Sequence, residues 1–305
     1  MPAPAPTLLA VPNISEGRDH SLISRLADAF QTAGVALLDL HSDPDHNRTV
    51  YTLAGGPGRL TRALVAGATE AIARIDVGTH EGAHPRVGAL DVAPIVHLAT
   101  ADRGAACAAA LTLADRLGSE LGVPVFLYGA LTQDARSRAD IRRGGSDALA
   151  LRIQTGTTSP DFGPPTPHPT AGATMVAARP PLIAFNVELS PPADLTTARR
   201  IAALIRQGGD EGLTGVRAIA ISLTTRNGAP QVSTNVEDHE TTPLAAVVEA
   251  ISRHAEPARA ELVGLAPEKA FDGFPADLEL ANRRTIEGAL GWRQNTSPTT
   301  SPATD

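Results

Sequence analysis

Aromatic side chains make up only 3% of this chain, which excludes a surface that reads nucleic-acid bases by stacking. Lys and Arg form no run, and the formal charge is −7. Binding a phosphate backbone draws its strength from clustered cations that release counterions, so no nucleic-acid partner is expected. A single cysteine, Cys107, cannot form an intrachain disulfide and fits a reducing compartment, where in its Ala-rich surroundings it serves as a small packing residue. No apolar stretch approaches the ~20 residues needed to cross a bilayer. The Pro/Ala-alternating start, Met1 to Pro6, has neither the basic residues nor the apolar run of a secretory leader. No membrane partner is expected, and the expected location is the cytoplasm.

What is abundant is aliphatic: 42% of the 305 residues are hydrophobic, mostly Ala, Leu, Val and Ile, enough for one large core or two smaller ones. Hydrophobic spacing predicts a strand over Leu8 to Val11, a helix from His20 to Ala33 and strands over Val35 to Leu40 and Thr49 to Leu53. A helix from Leu60 to Ile75 and a strand from Val92 to Leu98 follow. That order, β-α-β-β-α-β, predicts an antiparallel sheet with helices on one face, extended by a helix (Ala101 to Leu121) and a strand (Val125 to Tyr128). The Thr/Pro/Gly-rich stretch Thr155 to Pro169 reads as a loop between modules. Beyond it the order recurs: strand Leu182 to Leu189, helix Thr196 to Gln207, strands Val216 to Thr224 and Gln231 to Asp238, helix Leu244 to His254 and strand Glu261 to Leu265, with a hairpin signal at Asn227-Gly228. The expected fold is therefore α+β, with two ferredoxin-like βαββαβ subdomains whose sheets pack together under outer helices. The expected division is 1–178, 179–294 and a disordered tail from Asn295 to Asp305.

Chemistry is densest from Thr79 to Asp91, where His80, Glu81, His84, Arg86 and Asp91 fall within thirteen residues. His80-Glu81-Gly82-Ala83-His84 spells a zinc-protease string, which needs both imidazoles on one helix face. Gly82 weakens a helix there and Pro85 pushes His84 out of the α region, so no metal is expected. An irregular loop would instead hold His84 extended and aim a group that titrates near neutrality into a cleft. A second polar cluster, Asp43-Pro44-Asp45-His46-Asn47-Arg48-Thr49, joins two predicted strands, and Arg48 could clamp a carboxylate. Gly55-Gly56-Pro57-Gly58 lacks the Lys and Ser/Thr of a phosphate loop, and Asp161-Phe162-Gly163 lacks the companion motifs of a kinase.

Eight blocks in order resemble the formiminotransferases, folate-dependent enzymes of histidine breakdown. They are Val11 to Gly17, Asn47 to Thr52, His84 to Asp91, Pro160 to Pro164, Gly172 to Thr174, Leu182 to Asn186, Val232 to Asn235 and Leu262 to Leu265. The resemblance implies two α/β subdomains with packed sheets and a groove for tetrahydrofolate, the co-substrate. It implies transfer of the formimino group of formiminoglutamate to N5 of that folate. A homodimer is implied as well, and closure of the product's ring is expected on another protein or in a separate step.

Carried over by position, the catalytic histidine is His84. The folate-contacting segment maps to Gly163, Pro164, Pro165, Thr166, Pro167, His168, Pro169, Thr170, Ala171 and Gly172, with Ala171 where a Trp is common. An Asp that assists the histidine in characterised members aligns with His41 here, which leaves Asp43 or Asp45 to supply a carboxylate. One imidazole that takes the N5 proton and returns it to the departing amine would serve the exchange, with Arg48 and Arg86 holding substrate carboxylates. Three rivals remain at this level: a formyltransferase of the same architecture using 5-formyltetrahydrofolate and glutamate, a zinc hydrolase built on His80, Glu81 and His84, and a non-catalytic folate-binding or RNA-binding module, the RNA version opposed by the negative charge and scarce aromatics.

Overall fold

The computed structural model describes residues 5–291 apart from Ala83 and Ala135; the tail expected to be disordered lies outside the described residues. The first half comprises β1 (Leu8–Ala10), β2 (Asn13–Ile14), α1 (His20–Gln31), β3 (Ala36–Asp43), β4 (Arg48–Gly55), α2 (Pro57–Arg74), β5 (Leu90–Val96), α3 (Arg103–Leu121), β6 (Val125–Leu127), α4 (Arg138–Arg142), α5 (Gly145–Gln154) and β7 (Thr174–Arg179). The second half comprises β8 (Ile183–Leu189), α6 (Leu195–Ile205), β9 (Val216–Leu223), β10 (Ala229–Val236), α7 (Leu244–Ser252), β11 (Pro257–Val263), β12 (Leu280–Ala281) and α8 (Ile286–Leu290).

Local chemistry explains the boundaries. Asp19 caps α1 by accepting the N–H groups of Ser21 and Leu22, while Leu22, Ile23, Leu26, Ala27 and Phe30 repeat at helical spacing on the buried face. Pro57 stands in the first turn of α2, where its missing N–H costs nothing, and Gly122 in left-handed geometry ends α3.

In the first sheet β3 pairs with β4, β4 with both β1 and β2, these with β5, and then follow β7 and β6. In the second the order is β12-β11-β8-β10-β9, antiparallel apart from the β11–β12 pair. Two α+β subdomains result, each with its own sheet and core. Helices α1, α2 and α3 bury Phe30, Leu64 and Leu113 against Tyr51 and Leu53 of β4. Helices α6 and α7 bury Ile201 and Val247 against Phe185 and Val187 of β8. Because neighbours on a strand point to opposite faces, Thr52, between Tyr51 and Leu53, faces away from the helices. Ala54, Leu9 and Val96 of the first sheet meet Leu265 and Ile286 of the second subdomain in a shared apolar cluster. The two sheets thus face each other with helices outside.

Three expectations change. The first sheet is mixed rather than antiparallel, since β7 lies parallel between β5 and β6. The loop Thr155 to Pro169 therefore lies within the first subdomain, because β7 follows it and completes that sheet. Second, hydrophobic spacing does not mark α4, α5 or β7. Gly144 and Gly145, both with positive φ, break α4 from α5 and leave helices too short to show a period, and β7, Thr174 to Arg179, is buried along all but its last residue and so shows no alternation. Third, Asn227 and Gly228 are both left-handed, but they end a five-residue connection from 224 to 228 rather than forming a two-residue hairpin turn.

Candidate functional site

Two loops of the first subdomain lock together before any site exists. The turn from β3 to β4 puts Asn47 in left-handed geometry, φ 48°. From there its side chain accepts the Gly17 N–H (2.9 Å) and donates to the Glu81 carbonyl (2.7 Å). His80 Nε2 donates to the Asn47 carbonyl at 3.0 Å. Gly82 is required at the contact, since a Cβ there would lie 2.6 Å from the His46 carbonyl oxygen. The His80-to-His84 segment is irregular, so its two imidazoles do not share a helix face. Among the described residues no three His, Cys, Asp or Glu side chains converge as metal ligands.

His84 is half-buried at the wall of a cleft between the sheets. The first subdomain contributes Asn13, His41, Asp43, His46, Arg48, Val50, Arg138 and Arg142; the second contributes Ala184, Asn186, Ser233, Thr234, Asn235 and Val263. An adjoining cleft shares Asn13, Val50, Arg138, Ala184, Asn235 and Val263 with it and adds Arg179 and Pro181 among others, making one continuous groove. His84 Nδ1 lies 2.7 Å from the Pro85 carbonyl and 3.0 Å from Arg48 Nη1. A carbonyl can only accept and a guanidinium can only donate, so Nδ1 cannot bond both; the shorter contact assigns the proton to Nδ1, which leaves Arg48 Nη1 bonded to Asp91 rather than to the ring and leaves Nε2 with its lone pair. Burial, then the Arg48 and Arg142 guanidiniums and His46, push the His84 pKa well below the ordinary histidine value. A neutral imidazole with a free Nε2 is a proton acceptor at neutral pH.

Arg48 and Asp91 form the structure beneath it. Arg48 donates through Nε to Asn13 Oδ1 (2.8 Å) and through Nη1 to Asp91 Oδ2 (3.0 Å). Asp91 is fully buried; Oδ1 accepts the Val87 N–H at 2.8 Å, and Arg142 reaches Oδ2 from α4. Burial pushes the Asp91 carboxyl up, but the Arg142 and Arg48 guanidiniums hold it below the usual range. Burial beside Arg142 lowers Arg48 to about 10, against the pull of Asp91, so it remains a cation at neutral pH. Arg86 lies elsewhere. Its guanidinium donates to the His80 and Gly82 carbonyls, bracing the loop that carries His84.

The three candidates for a supporting group separate. Asp43 bonds His46, not His84: Oδ2 lies 2.6 Å from His46 Nδ1. Asp45 is buried and turned to the other subdomain, where it accepts the Thr225 N–H (2.9 Å) and both the Thr224 and Thr225 hydroxyls (2.5 Å each). His41 lines the cleft with Nε2 3.9 Å from Glu261 of β11.

Residues 163–172 are not part of the groove wall. Gly163 packs against α3, and Gly172 bridges to Gly88. Ala171 is 2% exposed and accepts the Ala89 N–H at 3.0 Å, so its side chain belongs to the core. Pro165, Thr166 and Pro169 are exposed.

Sequence reasoning passed over His46, Asp91, Arg138, Arg142, Asn186, Ser233 and Asn235 as site residues. A signal existed for some of them. Arg136, Arg138, Arg142 and Arg143 crowd eight residues of an otherwise cation-poor chain, and Asp91, Asn186, Ser233 and Asn235 stand inside the blocks quoted above.

A family model described as "Formiminotransferase domain, N-terminal subdomain" matches residues 7–179, and one described as "Formiminotransferase domain" matches 184–273. The chain is 41% identical over 274 residues to the formimidoyltransferase-cyclodeaminase of Gallus gallus, a match covering 86% of this chain and 50% of that protein. It thus spans about half the length of that curated relative. Against the glutamate formimidoyltransferase of Streptococcus pyogenes serotype M1 it is 37% identical over 269 residues, covering 86% of this chain and 89% of the relative. The Thermoplasma acidophilum protein of the same name is 37% identical over 271 residues, covering 86% and 88%.

Proposed function

The chain belongs to the formiminotransferase family, and on that premise we propose that it transfers the formimino group of N-formimino-L-glutamate to N5 of tetrahydrofolate, releasing 5-formiminotetrahydrofolate and L-glutamate. The observation that carries this reading is the His84 imidazole, its pKa pushed well below the ordinary histidine value, with Nδ1 bonded to the Pro85 carbonyl and Nε2 without a hydrogen-bond partner among the described residues, at the wall of an inter-sheet groove. Attack by N5 on the amidine carbon releases a proton, and a neutral imidazole within reach accepts it. Holding both reactants in one groove supplies effective concentration.

The groove suits an elongated anion. Asp43 is the single carboxylate among its quoted lining residues, and that group faces His46. Carboxylate recognition, expected of Arg48 and Arg86, is better supported for Arg138 and Arg179. Both line the groove and neither has a carboxylate partner within salt-bridge distance among the described residues. Folate contact by residues 163–172 falls to Pro165, Thr166 and Pro169, because Ala171 and Gly172 are buried. Each subdomain reads as a ferredoxin-like unit extended at an edge, with β7 carrying the first through Arg179, one residue past the expected division. A homodimer and the cytoplasm complete the reading; sedimentation and fractionation test them.

A spectroscopic assay of the whole chain with tetrahydrofolate and formiminoglutamate, run beside 5-formyltetrahydrofolate with glutamate, tests the reaction. Turnover of the first pair is expected. Turnover of the second pair alone would replace the formimino donor with the formyl one, and silence with both would overturn the reading.

A further inference from the structure

His84 is not the only imidazole in the groove with a fixed tautomer. Asp43 Oδ1 accepts the N–H groups of Asp45 (2.8 Å) and His46 (2.9 Å), which shapes the turn and aims Oδ2 at His46 Nδ1, 2.6 Å away. Burial pushes the Asp43 carboxyl up, yet His46 holds it below the ordinary range. The shared proton therefore sits on His46 Nδ1, and Nε2 is left to exchange a proton with an occupant of the groove. The ring is only 7% exposed but belongs to the groove wall, its centroid 6.1 Å from that of His84 and its plane inclined by 48°. The Asn47 and Gly82 contacts that join the two loops fix this separation.

The two rings meet opposite surroundings. His84 faces the Arg48 and Arg142 guanidiniums, and the Asp91 carboxylate beneath them is engaged by both. His46 faces a carboxylate directly. Exchange of one amine for another at a single carbon needs two proton transfers at two different nitrogens. A ring among cations suits the acceptance, and a ring bonded to a carboxylate suits the delivery.

We propose that His46, oriented by Asp43, is a second acid–base group, which protonates the departing amine while His84 takes the proton of the attacking one. The proposal rests on the formimino-transfer reading. As N5 bonds to the amidinium carbon its proton passes to His84 Nε2, giving a neutral carbon bearing three nitrogens. The His46 imidazolium, paired with Asp43, gives its Nε2 proton to the glutamate nitrogen. The bond from carbon to that nitrogen breaks, its electron pair leaves with the amine, and the amidinium re-forms on N5. His84 is then protonated and His46 neutral, and passage of one proton between them resets the pair.

His46→Gln retains an N–H for Asp43 and removes the second titrating atom. Its kcat should fall by about 100-fold or more while KM for both substrates stays within about threefold. Donors whose departing amine is weakly basic need less protonation, so the defect should shrink with them. In His46→Ala, added imidazole should restore part of the rate in proportion to its concentration. A His46→Gln enzyme with kcat within about threefold of wild type would overturn the assignment. So would an equal defect with strong and weak leaving amines and no rescue by imidazole, the pattern of a merely structural residue. If the Gln variant does not fold, imidazole rescue of the Ala variant decides alone. Wild-type enzyme inactive with formiminoglutamate defeats the formimino reading, whereas active wild type with unimpaired His46 variants defeats only the role of His46.

Discussion

The two walls of the groove differ in kind. Every titratable lining side chain named above, His41, Asp43, His46, Arg48, His84, Arg138, Arg142 and Arg179, comes from the first subdomain, while the second offers Asn186, Ser233, Thr234 and Asn235 among small apolar residues. The charged wall is assembled from the adjoining ends of β3 and β4, from α4 and β7, and from the two loops that carry His46 and His84, with the buried Asp91 ion pairs beneath. The neutral wall stands on three adjacent strands, β10, β8 and β11, whose alternation turns Phe185 and Val187 into the core and Ala184 and Asn186 into the groove. Under the proposed function the difference separates tasks: proton chemistry on one side, shape and neutral hydrogen bonding on the other. Asp45, reaching across to Thr224 and Thr225, and Arg284, reaching back to Asp39, hold the walls in register.

The sharpest way to break this division is at His84. His84→Ala should lower turnover by roughly 10²–10⁴-fold, the usual worth of a positioned acid–base group, with folate affinity within a few-fold of wild type. Steady-state kinetics beside equilibrium folate binding separates the two, and a variant that turns over normally would move the chemistry off the charged wall.

Next in size is the foundation. Asp91→Asn leaves Arg48 and Arg142 buried without their anion, and loss of one partner from such a cluster costs about 3–5 kcal/mol, readable by urea unfolding. The folded Asp91 pKa lies below its unfolded value of about 3.9, so its contribution is complete above that pH and is lost as pH falls through the folded value. The Asn variant should therefore show a flatter loss of stability on acidification. Reversing Arg48 breaks the same cluster, so its effect should be loss of fold rather than the rise in Michaelis constant that the sequence alone suggests.

The smallest effect belongs to the neutral wall. Asn186→Ala should raise KM by about three- to tenfold with kcat nearly unchanged, the signature of uniform binding. A kcat loss comparable to that of His84→Ala would erase the distinction between the walls.

Parts of this were readable before any coordinates. His84 and Arg48 sit in dense polar clusters that packing alone would not choose, and the helices with full amphipathic periods, α1 and α6, fall within a few residues of where their spacing puts them. What stayed hidden depends on distance along the chain. Asp91 gains its meaning from Arg48 and Arg142, 43 and 51 positions away, and a sequence window shows neither. Arg86, beside His84 in sequence, turns to backbone carbonyls, while Arg138, more than fifty positions on, lines the groove. Ala171 looks like a truncated contact residue in the sequence and is a core residue in the fold, because its carbonyl accepts the Ala89 N–H and its methyl joins the first subdomain's apolar cluster.

The central claim is that His84 is held neutral, with its proton on Nδ1 and Nε2 free toward the groove. Nitrogen-15 NMR of histidine-labelled protein, with the His84 signals assigned by their loss in His84→Gln, tests it directly. The account predicts a neutral ring protonated on Nδ1 at pH values at and somewhat below the ordinary histidine pKa of about 6.5. A ring that titrates at or above that value, or carries its neutral-state proton on Nε2, would contradict it.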